Sequence, residues 1–171
     1  MSIWAMIETP RAVFNLAQIA ELGHHHTARL NCFVTGTNDL MKETGVRDAR
    51  EMQPWLMQIV LAAKAGGLAV LDGVYNDFAD AAGFEEACTA ARNRGFDGKT
   101  LIHPSQIEPA NRNFAPDEND VAAAMAIIAA FALPENSGKG VVSVEGRMVE
   151  RLHLSMAEKT MALARSIQEK H

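Results

Sequence analysis

The sequence lacks several features that define specialised classes of protein. It has no apolar run of the roughly 18–20 residues needed to cross a bilayer, and no secretory signal follows Met1. Its two cysteines, Cys32 and Cys88, show no CxxC spacing, so we expect buried thiols rather than a disulfide or a zinc site. These absences predict a cytoplasmic protein with no membrane partner.

Positive charge is also scarce. The 16 Lys and Arg residues against 21 Asp and Glu residues give a net charge of −5, and no basic cluster stands out. Because affinity for nucleic acid comes largely from grouped Lys and Arg that face phosphates, we expect no nucleic-acid partner. The 48% hydrophobic and 22% charged residues are typical of a globular chain, and 171 residues can build a sizeable core.

Short apolar, β-branched segments alternate with stretches of helical spacing in the first two thirds of the chain. The predicted strands begin near positions 3, 31, 68 and 100, so they are separated by 28, 37 and 32 residues. A (β/α)8 barrel spends about 31 residues on each unit, so this spacing fits such a barrel or another parallel α/β sheet. The predicted strands cover residues 3–7, 31–35, 68–74 and 100–102.

The character of the sequence changes after residue 115. Asp117 predicts a helix start, residues 141–149 predict a small hairpin, and residues 152–168 predict a final helix with an apolar stripe. We therefore expect two domains, at 1–115 and 116–171. The fold class is α/β, a partial barrel of about four βα units followed by a C-terminal helical tail.

Two carboxylates follow the first two predicted strands. Glu8 and Asp39 leave the same edge of a parallel sheet, where they can converge. Two oxygen ligands with room for water and substrate favour Mg²⁺ over zinc. Gly36, Thr37 and Asn38 offer backbone N–H groups that can cradle a carboxylate. The alternatives are that Glu8 caps a helix, Asp39 closes a turn, and the glycine turn is a plain one.

Other polar residues near predicted strand ends suggest structural roles. Lys99 is expected to be solvated, and His103, which precedes a proline, to be structural. Asp72, Asp77 and Asp80 are expected to decorate a loop.

Five blocks, taken in order, resemble the HpcH/HpaI aldolase/citrate lyase beta-subunit family. The resemblance is closest to the branch that acts on coenzyme A thioesters, such as malyl-CoA, citramalyl-CoA and citryl lyases. The blocks are Ile7-Glu8-Thr9-Pro10, Gly36-Thr37-Asn38-Asp39-Leu40, Asp72-Gly73-Val74-Tyr75-Asn76-Asp77-Phe78, residues 95–107 around Ile102-His103-Pro104, and Val144-Glu145-Gly146-Arg147-Met148-Val149-Glu150.

The resemblance implies a TIM barrel and a Mg²⁺-dependent carbon–carbon lyase. Glu8 and Asp39 correspond to the family's metal ligands, and oxygens of the bound substrate complete the metal shell. The backbone from Gly36 through Thr37 and Asn38 corresponds to the site for the carboxylate of a small oxo or hydroxy acid. The expected substrate is the CoA thioester of a hydroxy-dicarboxylic acid.

The resemblance also implies a catalytic role for Glu150. In relatives, an acidic residue of the C-terminal segment reaches into a neighbouring subunit's site as an acid/base group, and many relatives have Asp at this position. A homo-oligomer is therefore expected. The alternative is that Glu150 is a solvated residue at a helix start.

Relatives normally begin with four further βα units, and this sequence has no segment that corresponds to them. The expected partner is thus a second copy or a separate amino-terminal half, and activity of the chain alone is expected to be weak.

Two other functions remain open: a pyruvate-type class II aldolase that uses no CoA, and a non-catalytic structural or partner chain.

Overall fold

Four parallel strands form the main sheet of the protein, in the order β1-β2-β3-β4. The computed structural model describes residues 1–169 and divides into two compact units, Met1–Phe114 and a second that begins at Ala115. The predicted α/β fold with a parallel sheet is confirmed. The strands are β1 at Ile3–Ile7, β2 at Leu30–Thr35, β3 at Ala69–Asp72 and β4 at Gly98–Lys99.

Helical segments follow every strand of the first unit, as a barrel of βα units requires. They begin where the sequence places local signals; the first starts at Pro10, after Thr9, whose hydroxyl accepts a hydrogen bond from the Ala12 N–H at 3.1 Å. The helices are α1 at Pro10–Phe14, α2 at Leu16–Glu21, α3 at Thr37–Thr44, α4 at Gln53–Ala65, α5 at Ala81–Arg94 and α6 at Ile107–Phe114.

The predicted fourth strand at 100–102 was wrong. The strand lies at Gly98–Lys99, and the ladder ends where the N–H and the hydroxyl of Thr100 both donate to the Asp72 carbonyl. Helix α3 was not predicted, because Leu40 is its only buried side chain and the segment shows no apolar stripe. The helical stretch after β1 is interrupted at Asn15, which separates α1 from α2.

The core of the first unit lies between the sheet and its helices. Ile7, Phe33 and Val70 from the strands are fully buried against Leu40 and Ile59 from α3 and α4. Removal of these apolar side chains from water stabilises the folded unit.

The opposite face of β1 is open. Alternation along the strand turns Trp4 and Met6 away from the core, and their side chains are 62% and 54% exposed. Strands β1 and β4 are the outer strands of this sheet, so each has one unpaired edge.

Both cysteines are buried free thiols, as predicted. Burial raises the pKa of the Cys32 thiol, and it does the same for Cys88. Both thiols are therefore kept protonated and behave as small apolar groups.

A buried ion pair joins β3 to β4. The Lys99 Nζ lies 2.6 Å from Asp72 Oδ2, and the two side chains are only 4% and 10% exposed. The expectations that Lys99 is solvated and that Asp72 decorates a loop were therefore wrong. Neighbouring parallel strands place the two residues in register, which a linear sequence does not reveal.

The second unit contains two helices and a hairpin. Asp117 and Asp120 form the capping box that starts α7, and the two helices pack on each other through small residues such as Ala124 and Ala157. The predicted apolar stripe of the last helix is largely exposed. The elements are α7 at Glu118–Ala132, β5 at Val141–Val144, β6 at Arg147–Glu150 and α8 at Arg151–Gln168.

Across residues 1–169, none of the helices is long and apolar enough to traverse a lipid bilayer.

Replacing Lys99 with Met should destabilise the first unit by about 3–5 kcal/mol, because the Asp72 carboxylate would stay buried without its partner. The measurement is urea unfolding followed by tryptophan fluorescence, since Trp4 and Trp55 both lie in this unit. Removing both charges, in an Asp72→Asn/Lys99→Met double variant, should recover part of the loss. The matched control is Arg112→Met, which breaks two exposed ion pairs, to Glu85 and Glu108, and should change stability by less than about 1 kcal/mol.

Candidate active site

The carboxyl ends of β1 and β2 are joined directly. Ile7 pairs with Thr35, and the Gly36 N–H continues the ladder by donating to the Ile7 carbonyl at 2.9 Å. A Cβ atom built on Gly36 would lie 2.3 Å from the Cβ of Glu8 and 3.0 Å from its Oε2. Glu8 and the turn that begins at Gly36 are therefore in contact, whereas the convergence of the Glu8 and Asp39 carboxylates stays a prediction.

Glu8 does not cap a helix, so that alternative was wrong. Thr9 fills the N-cap position of α1 instead. Glu8 is half-buried, and within residues 1–169 its carboxylate has no hydrogen-bond or ion-pair partner. An unpaired carboxylate at this position is available to a ligand.

The turn after β2 is the start of helix α3. Gly36 is its N-cap residue and carries no side chain that could accept a bond from the first turn. The first amide to find a backbone acceptor is that of Leu40, which donates to the Gly36 carbonyl at 3.1 Å. The amides of residues 37–39 therefore face outward without a cap, which is the arrangement that binds a carboxylate.

Asp39 lies in this first turn rather than closing a plain turn. Its side chain is exposed and, among the described residues, it has no hydrogen-bond or ion-pair partner. A carboxylate is favourable at the positive end of a helix dipole, and the first turn of α3 is such a position.

The loop after β3 packs on the other side of the same turn. A Cβ on Gly73 would lie 2.5 Å from the side-chain Oγ1 of Thr37 and 2.9 Å from the carbonyl oxygen of Thr35, so the Gly73 backbone packs closely against the end of β2 and the turn that follows it. Beyond it, the side-chain amides of Asn38 and Asn76 bond to each other in both directions, at 2.8 and 3.1 Å. The turn is thus held between Glu8 and the β3 loop.

The β3 loop is itself anchored from the β4 side. The buried Gln106 donates from Nε2 to the Tyr75 carbonyl at 3.0 Å, and its Oε1 accepts from the Ile102 N–H at 3.0 Å. Phe78 stacks on His103 with ring centroids 4.8 Å apart. His103 has the structural role that was predicted, because its Nδ1 caps the turn that precedes α6.

Asp80 has a defined place in this loop. Its carboxylate accepts a bond from the Gly83 N–H at 2.9 Å at the start of α5, and another from the Tyr75 hydroxyl at 2.7 Å. These bonds, the Gly83 amide first, lower the pKa of Asp80, and the same carboxylate raises the pKa of Tyr75 to about 12. Asp80 thus organises the loop rather than decorating it.

Glu8 and Asp39 are the candidate ligands for a divalent ion. Within residues 1–169, no group of three or more His, Cys, Asp or Glu side chains converges as a metal site. The hydroxyl of Thr35, at the end of β2, is buried and has no hydrogen-bond partner in the part of the chain that the structure describes. Glu8 beside the turn and Asp39 within it could offer a metal ion only oxygen ligands, the type that Mg²⁺ prefers.

A groove of about 790 Å³ adjoins this turn within the first unit. Its lining includes Thr37 and Asn38 of the turn, Asp72 and Lys99 of the sheet, and residues of α4 and α5. The groove is large enough for a small acid and part of a longer substrate.

Glu150 lies in the second unit, as the N-cap residue of α8. Its side chain is exposed, and its backbone N–H donates to His153 Nδ1 at 3.0 Å. This position agrees with a residue at a helix start, and a catalytic role for Glu150 stays a prediction.

Sequence reasoning missed three contributors to this region: Thr35, Asn76 and the Asp72–Lys99 pair. Asn76 belongs to one of the recognised sequence blocks, yet nothing in the order of residues pairs it with Asn38. The residues around Lys99 in the sequence do not indicate that its side chain is buried. Each role depends on contacts between neighbouring βα units.

Residues 1–104 match a protein-family model, HpcH/HpaI aldolase/citrate lyase. The chain is 46% identical over 170 residues to a (3S)-malyl-CoA thioesterase of Cereibacter sphaeroides, an alignment that covers 98% of this chain and 58% of that protein. It is 33% identical over 177 residues to the mitochondrial citramalyl-CoA lyase of Homo sapiens, covering 99% of this chain and 52% of the relative.

A solved structure resembles the chain as a whole. The structure of CitE from Mycobacterium tuberculosis in complex with magnesium, acetoacetate and coenzyme A is 30% identical, with a TM-score of 0.72 over 95% of this chain and 61% of that one. The chain thus spans a little over half the length of the curated relatives it matches. The fold is that of the citrate lyase beta type, here as a partial (β/α) barrel.

Replacing Gly36 with Ala should displace Glu8, because the added Cβ would lie 2.3 Å from the Glu8 Cβ. We expect a loss of about 1–3 kcal/mol in unfolding free energy, measured by urea unfolding followed by far-UV circular dichroism, which reports on the helices of both units. Gly140→Ala is the control, since a Cβ there meets nothing within 4 Å. Equal stability of the two variants would contradict the close packing of Glu8 on the turn.

The phenol of Tyr75 should titrate at a pH of about 12. Because its pKa in the folded chain is raised, the stability that the Tyr75–Asp80 bond contributes is complete below about pH 10 and is lost between pH 10 and 12. Tyr75 is the single tyrosine, so absorbance at alkaline pH reports on it alone. In Asp80→Asn the midpoint should fall towards the ordinary value, and an unchanged midpoint would refute the assigned bond.

Proposed function

The chain belongs to the HpcH/HpaI aldolase/citrate lyase family, and we propose that it serves a Mg²⁺-dependent carbon–carbon lyase acting on the CoA thioester of a hydroxy-dicarboxylic acid. One observation carries the proposal. Glu8 touches the uncapped first turn of α3, which holds Asp39 and outward-facing amides. An unpaired carboxylate beside a turn with outward-facing amides, at the edge of the sheet where barrel enzymes have their sites, supports the proposal.

In this proposal Glu8 and Asp39 hold the metal ion. The amides of Thr37, Asn38 and Asp39 bind and orient the substrate carboxylate, because they have no backbone acceptor among residues 1–169. A divalent ion, when bound, supplies the charge that polarises the carbonyl formed as the substrate breaks. The support for Mg²⁺ is the all-oxygen donor set, together with a related structure that contains magnesium.

The reaction balances without an external oxidant or reductant. The substrate hydroxyl loses a proton, the adjacent carbon–carbon bond breaks, and its electron pair remains on the thioester fragment as an enolate. Protonation of that enolate gives the acyl-CoA, and the other product is an oxo acid such as glyoxylate. The residues around the α3 turn act by orienting the acid end of the substrate.

Glu150 is proposed as the acid/base group, in the site of a second copy of the chain. The support is its exposed carboxylate and its place in a block that resembles the family. Homo-oligomerisation is part of the same proposal; a separate chain that supplies an amino-terminal half is the alternative partner. The two buried free thiols suit a reducing compartment and support a cytoplasmic location.

A second candidate function is hydrolysis of the thioester. It is favoured by the 46% identity to a (3S)-malyl-CoA thioesterase. The two reactions differ in the bond that breaks, because hydrolysis releases a free CoA thiol and the hydroxy acid, whereas the lyase leaves CoA esterified and releases an oxo acid.

Incubation of the chain with malyl-CoA and Mg²⁺ distinguishes these functions. We expect release of glyoxylate without free thiol, at low turnover because the face bearing Trp4 and Met6 is open to water. Glu8→Gln and Asp39→Asn should each weaken Mg²⁺ binding, measured calorimetrically, by at least about tenfold. Asp77→Asn is the matched control, since it neutralises an exposed carboxylate on the neighbouring loop that bonds only to the Ala79 N–H.

Three other outcomes would each support a different function. Release of free thiol would favour the thioesterase. Mg²⁺-dependent binding of pyruvate with no effect of CoA on thermal stability would favour a class II aldolase. An absence of Mg²⁺-dependent stabilisation would indicate a non-catalytic chain.

A further inference from the structure

We propose that Asn76 is a positioning residue, which holds the first turn of α3 in place through its paired amide contact with Asn38. The inference rests on the proposed function, because that function requires the α3 amides and Asp39 to keep a fixed relation to Glu8. It adds a residue from a different βα unit to those that organise the site.

The contact between the two amides is reciprocal. Asn76 Nδ2 donates to Asn38 Oδ1 at 2.8 Å, and Asn38 Nδ2 donates to Asn76 Oδ1 at 3.1 Å. Only a side-chain amide presents a donor and an acceptor with this spacing, so the pair fixes the orientation of both groups. Asn38 is the second residue of α3, flanked by the other two amides that face outward.

Asn76 is itself held in an ordered loop. The preceding residue, Tyr75, has its carbonyl bonded to the buried Gln106, and Gly73 lies against Thr37 with no room for a Cβ. Asn76 therefore transmits the position of the β3 and β4 ends to the α3 turn.

The α3 turn needs such a restraint on this side. Gly36 has no side chain to cap the helix, and Asn38 and Asp39 are exposed. Glu8 supports the turn from the β1 side, and the amide pair supports it from the β3 side. Displacement of binding groups by about 1 Å is enough to lower the efficiency of a site greatly.

The same loop offers a matched control. The Tyr75 hydroxyl bonds to Asp80 within the loop, and neither side chain bonds to α3. Tyr75→Phe removes one hydrogen bond from the loop and leaves the amide pair intact. It therefore separates general loop order from the contact between Asn76 and Asn38.

The experiment is calorimetric titration of glyoxylate into the chain at saturating Mg²⁺. We expect Asn76→Ala to weaken glyoxylate binding by about threefold to tenfold, and Asn76→Asp, which keeps the size but loses the donor, to weaken it as well. Tyr75→Phe should stay within about twofold of the native chain. Because Asn76 acts through Asn38, the Asn38→Ala/Asn76→Ala double variant should bind no more weakly than Asn38→Ala alone.

Three results would overturn the inference. They are unchanged binding in Asn76→Ala, equal losses in Asn76→Ala and Tyr75→Phe, or a full additional loss when Asn76→Ala is added to Asn38→Ala. Each of these leaves the proposed function standing, because the native chain binds glyoxylate. A native chain that binds no glyoxylate with Mg²⁺ would overturn the proposed function and this inference together.

Discussion

The hydrogen bond from the Gly36 N–H to the Ile7 carbonyl is the contact on which the site depends. It extends the parallel ladder of β1 and β2 by one residue, so that Glu8 and the start of α3 leave the sheet side by side. The missing side chain at Gly36 lets Glu8 lie directly against that turn. The barrel core behind it, around Phe33 and Ile7, keeps the two strand ends in register.

The remaining support comes from the next two units of the sheet. The buried Asp72–Lys99 pair ties β4 to β3, and Gln106 ties the loop after β3 to the segment after β4. Breaking either contact would leave a buried polar group without a partner, so both restrain the loop strongly. Polar groups deep in the sheet thus determine the geometry of exposed groups at its edge.

The sequence predicted the features that depend on spacing along one chain. The alternation of strands and helices, the placement of Glu8 and Asp39 after neighbouring strands, and the capping residue Asp117 all follow from local pattern. It did not predict features that depend on which strands are neighbours. Lys99 was expected at the surface because its charge is costly to bury alone, and only the register of β3 with β4 supplies the carboxylate that makes burial possible.

Helix α3 was missed for a related reason, since one buried leucine gives no periodic signal. Its uncapped beginning has an energetic consequence. A side-chain cap typically stabilises a helix by about 1 kcal/mol, and α3 forgoes that contribution. An anion bound at the first turn of α3 would accept the hydrogen bonds that a cap normally accepts. Anion binding and formation of the helix would therefore stabilise each other. The segment would then be most rigid when its ligand is abundant and would fray when it is scarce.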